Sequence, residues 1–523
     1  MGRLLAFAVL AVTSVALPLW PCGAATDEGV LRYSVASDPG LLDWAQKNEF
    51  MGDMLLMFNM MEGLVQLNSE GQPVPALASS WEALDGGRSF VFHLRKDVVW
   101  SDGKPLTAGD FVFAWRRVLD PATKSGYAFF LNDIENAPEF RSGQLKNAAK
   151  LGVTATDDHT LLVKLRRPMR HFASFMYFYI TFPQRADLIK KYGKRAFDPD
   201  KVVTLGPYRI AARRKGHELT LERNAHYYGE VPKVAKVRVL IEKDLNKRAE
   251  LAAAAQIDIV QQASNAQIKT LLAREELGWR RADFPGLNVM YLGFNLATAL
   301  GGNLRYRRAL AMAINPNEIA GKMPDEARPA VGLVPVGLPE FAPAGLGYDV
   351  KKAHDELASL DRKVTFLYPA RHSGLGFAVR DALVDHLGLL IRAIEVGDGE
   401  DFRARLRQTG AELFLSGWAA DIPDATGFFQ MLESDSGFNL MGWRDSGFDQ
   451  AVRAAEGSAE LTRRKQVLHE AQSLALEKAV VLVPLVHKRN TFLLSPRIAH
   501  FELFPTLAFF YIKQIELGAS KSQ

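Results

Sequence analysis

Residues 413–424, with the sequence LFLSGWAADIPD, combine an apolar run with a carboxylate shortly after it. Residues 413–415 are uniformly apolar and predict a buried strand that ends at Gly417-Trp418. Asp421 follows two alanines, a setting that can leave a carboxylate facing a cleft with few competing cations. A partly desolvated carboxylate suits a compact ammonium group, because burial of either charge alone is costly.

Asp421 also has a purely structural interpretation. The sequence Asp-Ile-Pro-Asp often begins a helix, with an acidic N-cap and a proline in the first turn. The residue types alone favour this interpretation, since most aspartates in such a setting are caps.

Residues 76–120 contain the clearest local pattern of the chain. Apolar residues alternate between Phe90 and Leu94, which predicts a half-buried strand, and residues 101–103 (Ser-Asp-Gly) predict a turn. Thr107 and Asp110 form a loose capping box at the start of a helix. The predicted buried face of that helix consists of Phe111, Ala114, Trp115 and Val118.

The composition is that of an ordinary globular protein. The chain has 523 residues, too many for one hydrophobic core, so two or three domains are expected. The net charge of +5 is small, and the basic residues are interspersed with 59 acidic ones, so nucleic acid is not an expected partner.

The N-terminus is predicted to be a secretory signal peptide of residues 1–25. Arg3 supplies the positive charge, residues 4–20 are almost wholly apolar, and residues 23–25 (Gly-Ala-Ala) suit a cleavage site. A retained membrane anchor is the alternative. Cys22 is the single cysteine, and its lipidation would give a lipoprotein, but Leu19-Trp20-Pro21 fits that motif poorly. We therefore expect a soluble periplasmic protein.

Sequence motifs for enzyme chemistry are missing. His469-Glu470 and His217-Glu218 lack the second histidine of HExxH, and neither GxSxG nor GxxxxGK[ST] occurs. The 11 histidines show no metal-ligand spacing, and Cys22 is removed with the signal peptide or lipidated. We expect no enzyme, metal or cofactor, with a secreted hydrolase as a lower alternative, because a triad of distant residues leaves no motif.

Residues 76–120 closely resemble the signature of the periplasmic oligopeptide-binding proteins of ABC importers, which belong to extracellular solute-binding protein family 5. The resemblance extends over about residues 29–517, with further segments in the family's order. These segments are residues 205–210, 219–229, 290–296, 304–315, 348–353 and 483–490.

The resemblance implies an α/β fold, the two-lobed periplasmic binding protein fold (type II, cluster C) with an additional α/β domain on the first lobe. It places lobe I at residues 28–50, 180–290 and 492–523, the additional domain at 51–179, and lobe II at 291–491. Two or three strands crossing between the lobes would form a hinge, and closure around a ligand is the implied motion.

The resemblance also implies roles for individual residues. Asp421 matches the aspartate that pairs with the ligand's amino terminus, which leaves Asp424 as the helix cap. The backbone of Gly417, Trp418 and Ala419 would pair with the ligand's main chain as an added strand. Residues 38–40, with Asp38 and Gly40 at their ends, would do the same from the other side. Outside the family, Trp418 would be read as a core tryptophan.

Three positions depart from the family pattern. Phe113 replaces a tyrosine, Leu415 stands where some members have a carboxylate-binding arginine, and residues 486–488 (Val-His-Lys) replace a run of tyrosines. The amino-terminal half of the site thus resembles the family more closely than the carboxyl-terminal half.

Four further residues are weaker candidates for ligand contacts. Arg371 and His372 lie near the family's other carboxylate-binding segment, although a solvated loop explains them equally well. His487 is a candidate too, but a lone histidine on a strand is more often structural. Asn439 matches a loop of the family and is either a polar contact or a simple turn residue.

The implied function is a monomeric periplasmic substrate-binding protein that captures extended oligopeptides by hinge closure and delivers them to an ABC permease in the inner membrane. A non-peptide ligand on the same fold is the alternative, since relatives of this fold carry metal chelates, haem, sugars or antibiotics. A sensor or a scavenger of murein peptides is a lower possibility.

Overall fold

The structure is a computed structural model that describes residues 29–46, 51–68, 71–169, 171–261, 265–323, 327–397, 400–420, 423–458, 460–502 and 510–518. The predicted signal peptide, Cys22 and Asp421 lie outside the described residues. None of the described helices is long and apolar enough to cross a bilayer.

The strands are numbered in chain order. They are β1 (Val30–Val35), β2 (Val65–Leu67), β3 (Pro73–Pro75), β4 (Ala78–Leu84), β5 (Ser89–Leu94), β6 (Val153–Asp157), β7 (Thr160–Lys164), β8 (Tyr208–Arg214), β9 (Glu218–Arg223), β10 (Lys236–Ile241), β11 (Ile259–Gln261), β12 (Arg280–Pro285), β13 (Asn288–Phe294), β14 (Ala327–Pro329), β15 (Lys363–Pro369), β16 (Leu390–Val396), β17 (Leu413–Ala419), β18 (Leu482–Leu494), β19 (Ile498–His500) and β20 (Glu516–Leu517).

The α-helices are numbered in the same way. They are α1 (Met51–Met60), α2 (Ala108–Leu119), α3 (Ala137–Arg141), α4 (Ala186–Tyr192), α5 (Leu245–Ala253), α6 (Asn265–Ala273), α7 (Ala299–Gly302), α8 (Leu304–Ala313), α9 (Pro316–Gly321), α10 (Val350–Leu357), α11 (Ser373–Leu387), α12 (Phe402–Thr409), α13 (Ser446–Gly457) and α14 (Leu461–Ser473).

One long strand joins two α/β regions. The main sheet has the order β16-β15-β17-β13-β18-β11-β1-β10-β9-β8, and β12 and β14 also pair with β18. The first part of β18 pairs with β13, whereas its last residues pair with β11 and β12. This arrangement agrees with the predicted two-lobed α/β fold. The predicted domain boundaries remain predictions.

The additional region is built on a four-stranded antiparallel sheet of order β4-β5-β7-β6. The predicted strand is present as β5, and the predicted turn contains Gly103 at φ +83°, a conformation that glycine adopts without a steric penalty. The predicted capping box is confirmed at the start of α2, where the Thr107 amide donates to Asp110 Oδ2 at 3.0 Å. The predicted buried face of α2 is also confirmed.

The second lobe has an apolar core on each face of its sheet. Leu413 and Leu415 of β17 pack on one face with α8 and α11, and Phe414 packs on the other face with α13 and α14. This alternation follows from the two-residue period of a strand. It places Trp418 on the same face as Phe414, which positions the candidate site described next.

Candidate functional site

Strand β17 presents an open edge. It pairs with β13 along its whole length, from Leu413 opposite Phe294 to Ala419 opposite Asn288. On its other side, β15 pairs only with Leu413 and Phe414. Among the described strands, none covers that second edge beyond Phe414. The sequence predicted that the strand ends at Gly417-Trp418, but pairing with β13 extends it to Ala419.

The hydrogen-bond register shows which backbone groups face the open edge. The Ala420 amide donates to the Leu287 carbonyl at 2.9 Å, so even-numbered residues of this segment bond β13. Since hydrogen-bonding direction alternates along a strand, Gly417 and Ala419 present their amides and carbonyls to the open edge. Both residues are exposed. The backbone therefore offers two donors and two acceptors in the arrangement that an added strand requires.

Gly417 also avoids a packing conflict. A Cβ added at this position would lie 2.5 Å from Met290 Sδ, so the buried Met290 side chain would have to move. The absence of a side chain thus leaves room for Met290 on that face of the sheet.

Trp418 is fixed on the opposite face from the glycine. Its Nε1 donates to the Gly427 carbonyl at 2.6 Å, and its ring meets the Phe438 ring edge to face, with centroids 4.9 Å apart. The half-buried indole lines a cavity of about 90 Å³ between the additional region and the second lobe. The predicted candidate therefore combines a packing role with a surface that faces a cavity.

Basic side chains meet near the place where β15 leaves the edge of β17. Arg371 and His372 belong to the turn Ala370–His372 directly after β15. Lys488 Nζ, which comes from β18, lies 3.2 Å from His372 Nδ1. Lys488 was not among the predicted site residues. The histidine and the lysine are 116 positions apart, so only the sheet order brings them together.

Asn288 connects this basic group to the strand edge. It stands opposite Ala419 in β13, and its Oδ1 accepts from the Lys488 amide at 2.7 Å. Lys488 and Ala419 therefore lie on either side of Asn288, about 10 Å apart by the usual strand spacing.

His487 is buried, with 6% of its surface exposed, and its Nδ1 lies 2.7 Å from the Asn288 carbonyl. Burial lowers the pKa of His487, so the ring is neutral and Nδ1–H is the donor in this bond. The bond ties β18 to β13. Among the described residues, Nε2 has no hydrogen-bond partner.

The segment after β1 is held by its own ion pair. Asp38 Oδ1 accepts from Arg213 at 2.8 Å and Oδ2 accepts from the Gly216 amide at 2.6 Å. Arg213 also donates to the Pro39 carbonyl at 3.0 Å. Gly40 is exposed, and a Cβ added there would meet no described atom within 4 Å. In the sheet order, β13, β18 and β11 separate β17 from β1, so the two predicted flanking segments lie on different lobes.

The remaining candidates have clear surroundings. Phe113 is half-buried on α2, next to the buried face of that helix. Asn439 holds its own loop, because Nδ2 donates to the Trp443 carbonyl at 2.7 Å and Oδ1 accepts from the Gly442 amide at 3.0 Å. Leu415, at the family's arginine position, is completely buried in the core of the second lobe.

Charged residues from both regions meet beside the Trp418 cavity. Arg167 Nε donates to Asp133 Oδ1 at 2.7 Å, and its other nitrogens contact Glu456 of the second lobe. Arg167 and Glu456 are 289 positions apart, and no sequence motif predicts their contact. Burial, together with the Glu456 carboxylate, raises the pKa of the nearby Glu433 to about 7.

Asp424 acts as the predicted cap. It precedes the turn Ala425–Phe428, and its Oδ1 accepts from the Thr426 amide at 2.8 Å. Burial opposes ionisation of this carboxyl, but His171, the ion pair with Arg464 and the hydrogen bonds from Thr426 together keep its pKa below the ordinary value. This prediction is confirmed. For the described candidate ligand contacts, the structure gives positions, and their roles in binding remain predictions.

The comparisons with known proteins agree with this geometry. A family model described as bacterial extracellular solute-binding proteins, family 5 Middle, matches residues 72–439. The probable deoxycholate-binding periplasmic protein YgiS of Escherichia coli K12 is 29% identical over 511 residues, which cover 94% of each chain. The periplasmic oligopeptide-binding protein OppA of Salmonella typhimurium is 28% identical over 480 residues, 87% of each chain.

A solved structure shows the same fold. Haemophilus influenzae OppA in complex with the peptide RPPGFSPFR superposes with a TM-score of 0.76 at 24% identity, covering 94% of this chain and 99% of that one. This likeness confirms the predicted fold class. Together with the family match over most of the sequence, it leads to one identification: this chain belongs to the bacterial extracellular solute-binding proteins, family 5.

Proposed function

We propose that this chain is a periplasmic receptor that captures extended oligopeptides by closing its two lobes and delivers them to an ABC importer in the inner membrane. The observation that carries the proposal is the open edge of β17, where exposed Gly417 and Ala419 present backbone groups that no other described strand pairs with. Such an edge bonds groups that every peptide has, and so accepts many sequences. The names of OppA relatives support the peptide as ligand.

The two charged ends of a peptide would be recognised separately. Asp421, which lies outside the described residues, is proposed to pair with the ligand's ammonium group, as its match to the family implies. Arg371, His372 and Lys488 are proposed to attract the carboxylate. A charge-assisted hydrogen bond is stronger than a neutral one, so these groups would favour ligands with free termini.

The long strand β18 supports the proposed closing motion. It pairs with β13 of the second lobe and with β11 and β12 on the other side, so a bend within it changes the angle between the lobes. Closure would bring residues 38–40 toward the ligand from the first lobe. The closed form would then dock on the permease as a monomer, without covalent chemistry.

Native mass spectrometry of the purified mature protein tests this proposal through co-purifying ligands. We expect bound peptides of a few residues in the wild type and their loss in Asp421→Asn, which removes only the charge. Asp435→Asn is the matched control, because the Asp435 side chain is 97% exposed in the same lobe. Peptides retained equally in Asp421→Asn would refute the role of Asp421 while leaving peptide capture intact.

A non-peptide ligand is the second candidate. YgiS, similar over 94% of the chain, is named a probable deoxycholate-binding protein. An amphipathic carboxylate could use the basic group of Arg371, His372 and Lys488 without the ladder on β17. A single non-peptide mass in the same experiment would replace the peptide proposal by this one. Hydrolysis, the third possibility, predicts cleaved products on incubation with peptides.

A further inference from the structure

We propose that the cavity beside Trp418 is a side-chain subsite that selects a cationic residue, lysine or arginine, in the bound ligand. This inference rests on the proposed peptide function and names a preference within it. The site lies between the additional region and the second lobe, and it combines aromatic walls with an uncompensated negative charge.

The cavity has mostly apolar walls. Phe129, Phe130 and Phe175 come from the additional region, and Trp418 closes the opposite side. Rings from both regions also touch outside the cavity, where Phe129 meets Phe438 with centroids 6.4 Å apart. Its volume of about 90 Å³ suits one side chain rather than a whole ligand. Aromatic faces attract a cation, and more strongly when water is excluded.

The charges lining the cavity do not balance. Two carboxylates, Asp133 and Glu456, share the guanidinium of Arg167, which leaves one negative charge. The Glu456 side chain is only 4% exposed, so water compensates for little of that charge. The pKa of neighbouring Glu433 is raised chiefly by burial, and the Glu456 carboxylate adds to the shift. A ligand carrying one positive charge would neutralise the cavity.

The ladder on β17 would direct a ligand side chain to this place. A residue paired opposite Trp418 has its side chain on the same face of the sheet, with the two Cβ atoms about 5 Å apart. That face is the one on which Trp418 and Ala420 line the cavity. The next ligand residue in either direction points to the opposite face, and the residue after it lies about 7 Å further along the strand, so only one position should show the preference.

Calorimetry with tetra-alanine peptides carrying one lysine or one norleucine tests the subsite. Norleucine keeps the aliphatic chain and lacks the charge, and each residue is placed in turn at the first three positions. We expect the lysine peptide to bind about tenfold more tightly at one position only, as expected for one charge-assisted contact. In Glu456→Gln this ratio should fall to about one, whereas in the exposed control Asp435→Asn it should stay at about ten.

Asp133→Asn provides a second test, since Asp133 is more exposed than Glu456 and the substitution is less disruptive to folding. Circular dichroism would show that both variants are folded, and Asp435→Asn is again the control. Equal binding of lysine and norleucine at every position would overturn the subsite and leave peptide capture standing. Tighter binding of norleucine would overturn it in favour of an apolar pocket. Failure of all peptides to bind would overturn the proposed function and the subsite together.

Discussion

The open edge of β17 predicts that methylation of every second ligand amide will remove a hydrogen bond to that strand and weaken binding. Only every second ligand residue directs its N–H toward β17, and the alternate residues direct it to the other flank, where residues 38–40 would lie after closure. On β17, the acceptors for these bonds are the carbonyls of Gly417 and Ala419. An N-methyl group removes the donor and places a carbon where the hydrogen bond would form. Alternate single N-methylation of one tetrapeptide therefore tests the ladder directly.

The size of the effect follows from hydrogen-bond energetics. Losing one backbone bond costs about 1 kcal/mol net, and an acceptor left unsatisfied in a closed cleft costs about 1–3 kcal/mol. At about 1.4 kcal/mol for each tenfold change, Kd should rise by roughly 5-fold to 100-fold at the sensitive positions. Calorimetry measures Kd under the same conditions for peptides methylated at the sensitive positions and for peptides methylated at the alternate positions. Losses at consecutive positions would show that residues 38–40 bond the ligand as well, whereas no loss at either set of alternate positions would refute strand addition on β17.

Three further predictions concern the same site. Gly417→Val should cost about 1–3 kcal/mol through overpacking against Met290, which lowers Tm by roughly 1 °C for each kcal/mol in a chain of this length. Gly374→Ala, where an added Cβ meets no atom within 4 Å, should leave Tm unchanged, and equal melting curves would contradict the packing argument. Lys488→Met should weaken peptides with a free carboxylate about tenfold more than their C-terminal amides, and equal weakening in calorimetry would exclude a carboxylate contact. Glu433 has a pKa raised to about 7, so the stability associated with its neutral form is present below its unfolded pKa and is lost as pH rises through about 7. In urea titrations, the gain in the free energy of unfolding from Glu433→Gln should therefore be larger at about pH 8 than at about pH 5. The same gain at both pH values would contradict this prediction.

Much of the local structure could be predicted because its causes are local. The strand from Ser89 to Leu94 follows from alternation of apolar residues, and the start of α2 follows from Thr107 and Asp110, three residues apart. The cap at Asp424 depends on the next two residues. The end of β17 was predicted too early because it depends on pairing between Ala419 and Asn288, which is a tertiary contact.

The candidate site could be predicted only in part, for the same reason. The glycine and alanine of the strand edge are neighbours in sequence, so a family resemblance finds them. Lys488 joins His372 only through the sheet order, and Arg167 reaches Glu456 only because two regions meet. A polar residue type also did not show whether the side chain is free to bind a ligand, since the polar groups of Asn439 form hydrogen bonds within its own loop.

Affinity and selectivity are separated in space on this strand. Gly417, Ala419 and Ala420 are small, so no bulky side chain of theirs shields the backbone groups that any peptide can bond. Trp418 lies between them and points to one face of the sheet, where the charged cavity can contact the side chain of a single ligand residue. Substitutions in the cavity, or at Lys488, should therefore change which ligands are preferred. A change that blocks the strand edge should weaken all peptide ligands by a similar factor, because it removes bonds that do not depend on their sequence.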